Sequence, residues 1–144
     1  MKKRGSKSRS NGKNKGLEMV RQYSLKYYGR IVDAYELMGR YLPDPMVKWI
    51  ELRKSVFQLP PAGALTMREK ELIALTIEIT SLKPNSETHA KLAIKEGASV
   101  KDVAEVCAIC ILLGGMATHM ASGQNALKAA EEEYERLMKK EKRK

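Results

Sequence analysis

Apolar residues recur at spacings of three and four along most of the chain, which is the period of an amphipathic α-helix. The first apolar stripe runs from about Leu17 to Tyr41, with Gly29 near its middle. No segment shows the strict alternation of a half-buried strand, and breaks rich in proline or glycine separate the helical stretches. The pattern therefore predicts an all-α bundle of six helices with short connections.

Two start signals place individual helices within this pattern. Thr66 is followed three residues later by Glu69, and Ser99 is followed three residues later by Asp102. This spacing is typical of a capping box, in which two side chains satisfy the free amides of a helix start. The helix after Thr66 is apolar nearly all round, which predicts that it lies at the centre of the bundle.

Positive charge is concentrated at the amino end. The net charge is +10, and residues 1–16 supply +7 of it because they hold seven Lys or Arg and no acid. This segment has no apolar residue after Met1, so we expect a disordered basic tail at residues 1–16 and a single helical domain at 17–144. The tail would bind nucleic acid only weakly, through nonspecific phosphate contacts, or act as a solubilising extension.

The sequence gives no sign of membrane insertion, export or a bound cofactor. No apolar run reaches the ~18 residues that a membrane span needs. With no export signal and two cysteines, we expect a cytoplasmic protein. We find no P-loop, Rossmann glycine pattern, GxSxG or zinc-finger spacing, so we expect neither a cofactor nor a metal.

Three residues are candidates for catalysis. Glu71 and Glu78 lie two turns apart on one face of the apolar helix, where a buried carboxylate needs a partner or access to solvent. His89 lies near the start of the next helix, whose positive end favours a neutral imidazole. The acids could line a cleft or pair structurally with Lys or Arg, and His89 could be an ordinary histidine. His119 is equally ambiguous, and the wide separation of the two histidines is a weak metal signal.

The two cysteines form a CxxC at Cys107 and Cys110, in the middle of the apolar run 103–113. Redox CxxC motifs lie at exposed helix starts, where the first thiol is acidified. The position of this pair instead predicts buried, unreactive thiols that pack in the core.

Several segments together resemble one family. The helix (T/K)xxELIALAV of carboxymuconolactone decarboxylase and alkylhydroperoxidase D-like proteins is similar to LTMREKELIALTIEIT in this chain. Their next segment, HxxxAxxxGAxxxEIxE, is similar to HAKLAIKEGASVKDVAEV. The helix–GG–helix that follows in the family is similar to ILLGGMATHMASGQNAL. The resemblance covers about residues 43–130 in consistent order. It implies the all-α, oligomeric fold of that family, with trimers or hexamers of identical chains.

The redox branch of this family carries CxxCxxxH, with an upstream Glu as a proton relay. His89 matches the motif's His, and Glu71 matches the relay Glu if one residue is deleted between them. Leu82 and Asn85 stand at the two cysteine positions. The resemblance therefore argues against an alkylhydroperoxidase or peroxiredoxin-type antioxidant.

The decarboxylase branch lacks the cysteines and keeps the His, and it needs no cofactor. The resemblance implies a lyase that acts on a small carboxylic acid or lactone, with His89 as proton donor and Glu71 orienting it. The alternative is a non-catalytic oligomeric scaffold or binding module. Neither the resemblance nor the motifs identify the substrate.

Overall fold

The structure is a computed structural model that describes residues 6–83 and 85–143, with side chains from residue 15 onward. The described residues are helical with no strand, so the predicted all-α class is confirmed. The chain divides after Gln58 into two compact units, and the single domain over residues 17–144 stays a prediction. The division follows from the buried apolar residues, which form a separate core in each unit.

The first unit contains helices α1 (Ser6–Tyr28), α2 (Asp33–Tyr41) and α3 (Pro43–Val56). Its core is formed by side chains of α1 and α3, and partly buried tyrosines pack around it. The core residues are Val20, Tyr23, Met46 and Ile50. The first part of the predicted apolar stripe therefore packs within this unit, whereas Ile31 and Met38 farther along it are exposed.

The start and the continuity of the first helix differ from the prediction. Helix α1 begins at Ser6, before the predicted start at about Leu17, so it includes residues 6–16 of the predicted basic tail. Residues 1–5 lie outside the described part. Once a helix exists, each further residue adds a backbone hydrogen bond, which lets it extend into a polar segment. The predicted single helix is also divided, because Gly29 adopts a φ of +67° and ends α1.

The second unit contains α4 (Met67–Thr80), α5 (Ser86–Lys95), α6 (Val100–Gly114), α7 (Met116–Thr118), a π-helical turn (His119–Gly123) and α8 (Gln124–Glu141). Its core includes Leu75, Ile79, Ala90, Val103 and Ala126. Many of the buried residues are alanines, which lets α5 and α8 pack closely along their length.

Both predicted capping boxes are present. The Thr66 hydroxyl accepts the Glu69 amide while the Glu69 carboxylate accepts the Thr66 amide, and Ser99 and Asp102 make the same reciprocal pair. The predicted count of six helices is not confirmed, because Gly29 divides the first one and a π turn interrupts the last. Within residues 6–83 and 85–143, no helix is both long and apolar enough to cross a bilayer.

Candidate active site

His89 and Glu71 form a close, nearly buried pair in the second unit. The Nδ1 atom of His89 lies 2.6 Å from Oε2 of Glu71. The Glu71 side chain is 4% exposed and the His89 side chain is 16% exposed. A carboxylate this close to a ring nitrogen requires a proton between them, and it places that proton on Nδ1 when the imidazole is neutral.

Glu78 stands on the other side of the same ring. Its Oε1 atom lies 3.7 Å from Nε2 of His89, which is too long for a direct hydrogen bond. Its Oε2 atom is buried and has no hydrogen-bond partner among the described residues. The Glu78 side chain as a whole is 18% exposed. A buried carboxylate oxygen with unmet bonding capacity is uncommon in native proteins, and it marks a place where a ligand donor or water would bind.

The turn between α4 and α5 brings the three residues together. Glu71 and Glu78 are seven residues apart on α4, so they share one helix face. After α4 the Lys83 amide donates to the Glu78 carbonyl at 2.9 Å, and Leu82 adopts a positive φ of 55°. Helix α5 then begins at Ser86 and presents His89 from its first turn to the two carboxylates.

The arrangement suits proton transfer at Nε2. With Nδ1 bound to Glu71, a neutral His89 presents a lone pair at Nε2 and acts there as a base. The protonated ring presents an N–H at the same atom and acts as an acid. The carboxylate also fixes the orientation of the ring, which leaves Nε2 as the nitrogen available for proton transfer.

The cysteines lie outside this set. Cys107 and Cys110 are buried, as predicted, and no disulfide joins them. Their nearest acceptors are backbone carbonyls, that of Gly123 for Cys107 at 3.5 Å and that of Thr76 for Cys110 at 3.9 Å. Burial raises the pKa of the Cys107 thiol to about 11 and also raises the pKa of Cys110. These thiols therefore lack the thiolate character of a redox pair.

His119 lies in the π turn, and its Nδ1 atom is buried with no hydrogen-bond partner among the described residues. Among the described residues, no group of three or more His, Cys, Asp and Glu is arranged to hold a metal ion. An open cleft between α5 and α8 is lined by Glu87, Asn125 and Lys128 and contains none of the predicted site residues.

Two polar residues beside the site were not predicted from the sequence. Ser86 and Ser122 are 0% and 1% exposed, and their hydroxyl oxygens lie 2.7 Å apart. Ser122 belongs to a run of small residues at a helix junction, which by itself indicates only that two backbones approach closely. No local pattern pairs two serines that are 36 residues apart in the chain.

The chain is similar to known proteins in both sequence and fold. Residues 43–132 match the model of the carboxymuconolactone decarboxylase family, and this match spans more than half of the chain. No curated protein matches the chain. A crystal structure from Burkholderia xenovorans LB400, of a protein whose name assigns it to the carboxymuconolactone decarboxylases, has a similar fold. Its TM-score is 0.79 at 22% identity, over 89% of this chain and 98% of that one.

The ordered motifs, the helical architecture and the extent of the family match agree with one another. At 22% identity the solved structure supports the fold, while the match over residues 43–132 establishes the relationship. The chain belongs to the carboxymuconolactone decarboxylase family.

Proposed function

We propose that the protein is a cofactor-free lyase that removes carbon dioxide from a small carboxylic acid or lactone, with His89 as the proton-transferring residue. The contact of 2.6 Å between His89 Nδ1 and Glu71 Oε2 carries this proposal. It fixes the ring and leaves Nε2 to face the reacting group. The family match supports the choice of reaction class.

The reaction needs one proton at carbon. When a substrate carboxylate leaves as carbon dioxide, the carbon–carbon bond breaks and its electron pair stays on the substrate, delocalised into a neighbouring carbonyl or double bond. His89 in its protonated form donates the Nε2 proton to the substrate carbon on which the delocalised electron pair forms the new carbon–hydrogen bond, and the ring becomes neutral. Solvent then returns a proton to Nε2, which restores the starting state.

Glu71 and Glu78 have different parts in this scheme. Glu71 accepts the Nδ1 proton in a hydrogen bond and stabilises the charge on the ring while His89 is protonated. Glu78 lies 3.7 Å from Nε2 and has a buried, unpartnered oxygen, so it is placed to accept a hydrogen bond from a substrate hydroxyl. Satisfying that oxygen would favour bound substrate, because an unpaired buried acceptor is costly.

We also propose that copies of the chain assemble through the second unit. Leu112 and Leu113, at the end of α6, are 82% and 79% exposed. Ile73 and Ile77 on the apolar helix α4 are about half exposed. A monomer rarely leaves so many large apolar side chains in water, so a homo-oligomer such as a trimer or hexamer would cover them.

The enzymatic proposal is tested by measuring carbon dioxide release. Wild-type protein and His89→Asn are incubated with 4-carboxymuconolactone and with a panel of small lactone acids, and circular dichroism verifies that both are folded. Release by the wild type at a rate about 100-fold or more above that of His89→Asn supports the proposal, because a positioned acid or base contributes about 10²–10⁴ in rate. Equal rates for the two proteins would contradict it and favour a non-catalytic scaffold.

A further inference from the structure

The π-helical turn at His119–Gly123 creates a polar contact between the last helix and the start of α5. The Ser86 hydroxyl donates to the Ser122 carbonyl at 3.2 Å, and the Ser122 hydroxyl lies 2.7 Å from the Ser86 hydroxyl. The Ser122 hydroxyl also lies 2.9 Å from the Lys83 carbonyl, to which it donates. π turns are rare, and they occur often at functional sites.

Both hydrogen-bond partners of Ser122, Lys83 and Ser86, belong to segments that carry residues of the candidate site. On one side, Lys83 donates its amide to the Glu78 carbonyl, so Ser122 is tied to the end of α4 through a single residue. On the other side, Ser86 is the first residue of α5 and stands three residues before His89, on the same side of that helix. Ser122 therefore contacts both segments that set the distance between the ring of His89 and the two carboxylates.

The start of α5 depends on a contact with Ser122, whereas the starts of α4 and α6 are capped by their own side chains. Asn85 is the N-cap residue, and its side chain makes no capping hydrogen bond. The starts of α4 and α6, by contrast, are each held by a complete capping box. The helix that carries His89 is thus held at its first residue by a serine from another helix and not by a cap of its own.

We infer that Ser122, through Ser86 and the Lys83 carbonyl, is a positioning residue that sets the short contact between His89 and Glu71. This inference deepens the proposed function and rests on it. The π turn orients both the carbonyl and the hydroxyl of Ser122 towards the turn between α4 and α5.

The inference is tested by proton and nitrogen magnetic resonance of the full-length protein. The chain has two histidines, so the ring signals of His89 are assigned by their loss in His89→Asn. A short hydrogen bond to a carboxylate gives the Nδ1 proton a resonance far downfield. In Ser122→Ala we expect this resonance to move upfield or to vanish through exchange with water, while circular dichroism shows a folded protein.

Thr118→Val is the matched control, because it also removes a buried hydroxyl that donates to a backbone carbonyl on the same run of helix. Thr118 is 3% exposed and donates to Gly115 at 2.8 Å. A loss of stability without movement of the His89 resonance is expected in Thr118→Val.

Ser86→Ala is the second variant, and it should move the resonance in the same direction as Ser122→Ala. In the double variant the two effects should not add, because both act through one contact.

The outcomes separate this inference from the proposed function. An unchanged Nδ1 resonance in folded Ser122→Ala, or an equal change in Thr118→Val, would overturn the positioning role. If Ser122→Ala does not fold, the same comparison with Thr118→Val is made with Ser86→Ala. A resonance that moves as expected supports the positioning role even where His89→Asn releases carbon dioxide as fast as the wild type, in which case only the proposed reaction fails.

Discussion

Nδ1 of His89 and Oε2 of Glu71 lie 2.6 Å apart although the two residues are 18 positions apart in the chain. The pair lies at the junction of two helices, each of which contributes one member. Because Glu71 is almost fully buried, its carboxylate holds the ring in a low-dielectric setting where such a contact is stronger than in water. Because Nδ1 is held by Glu71, Nε2 is the nitrogen that we propose transfers the proton, and the consequences for rate, stability and assembly can be measured.

Replacing Glu71 by glutamine should slow turnover more than any other carboxylate change near the site. Glutamine removes the negative charge that stabilises the protonated ring, so less of His89 is in the form that donates the Nε2 proton. In serine proteases, the corresponding carboxylate-to-amide change costs about 10⁴ in rate, and we expect a loss of about 100-fold or more here. The measurement is the rate of carbon dioxide release.

Glu87→Gln is the control for that prediction, because it removes an exposed carboxylate two residues from His89 on the same helix. It should retain the wild-type rate. Similar losses in Glu71→Gln and Glu87→Gln would show that general charge, and not the contact with Nδ1, controls the reaction.

The cysteines should be inert in the folded protein. The pKa of Cys107 is raised to about 11 by burial, so its thiolate is scarce at neutral pH. A thiol-specific reagent should label neither cysteine in native protein at pH 8 and both after unfolding in denaturant. Rapid labelling before unfolding would revive the antioxidant alternative.

Because of the Cys107 thiol, the free energy of unfolding should depend on pH in the alkaline range. The pKa of Cys107 is higher in the folded chain than its ordinary value of 9.0, so the unfolded chain loses the proton first as pH rises. The free energy of unfolding should therefore fall between about pH 9 and 11. Cys107→Ala should show a shallower fall across that window in urea titrations.

Acid should weaken the first unit through Glu36. Hydrogen bonds from Arg21, assisted by Arg40, lower the pKa of this carboxyl to about 2 from an ordinary 4.5. A depressed pKa contributes stability above the unfolded value, and that stability is lost as pH falls from about 4.5 towards 2. Glu36→Gln should be less stable at pH 7 and should show a flatter acid curve. An acid curve identical to that of the wild type would contradict the ion-pair account.

Assembly can be tested at the exposed end of α6. Leu112→Glu should dissociate the oligomer without unfolding the chain, because a position that is 82% exposed in one copy contributes little to its own folding. Light scattering after gel filtration gives the mass, which should fall to that of one chain, 16.2 kDa.

Lys101→Glu is the control for the assembly test, since it places the same side chain at an exposed polar position of α6. It should keep the mass of the wild type. A wild-type protein that already elutes as one chain would exclude the proposed homo-oligomer.

Features encoded by neighbouring residues could be predicted from the sequence. The capping boxes at Thr66 and Ser99 involve partners three residues apart, and the burial of Cys107 follows from the apolar run around it. Glu71 and Glu78 share a face because helix geometry dictates it. The resemblance to the family supplied His89 as the residue that these carboxylates would meet.

Features set by turns and by distant contacts could not be predicted in the same way. The contact between Glu71 and His89 depends on the path of the chain after Leu82, and that between Ser86 and Ser122 depends on a π turn without a sequence signature. The break after α1 rests on the positive φ of Gly29, which the sequence permits and does not require. The start of α1 at Ser6 has no signal in the sequence, because the composition of residues 6–16 is typical of a disordered tail.

The most direct test of the central claim follows the proton that His89 delivers. The reaction is run in deuterium oxide, and the product of decarboxylation is examined by magnetic resonance for the position and stereochemistry of the new deuterium. Delivery from Nε2 predicts one deuterium on a single face of the carbon that takes up the proton, at a rate that collapses in His89→Asn. Deuterium distributed over both faces, or formed as fast by His89→Asn, would contradict the role of His89.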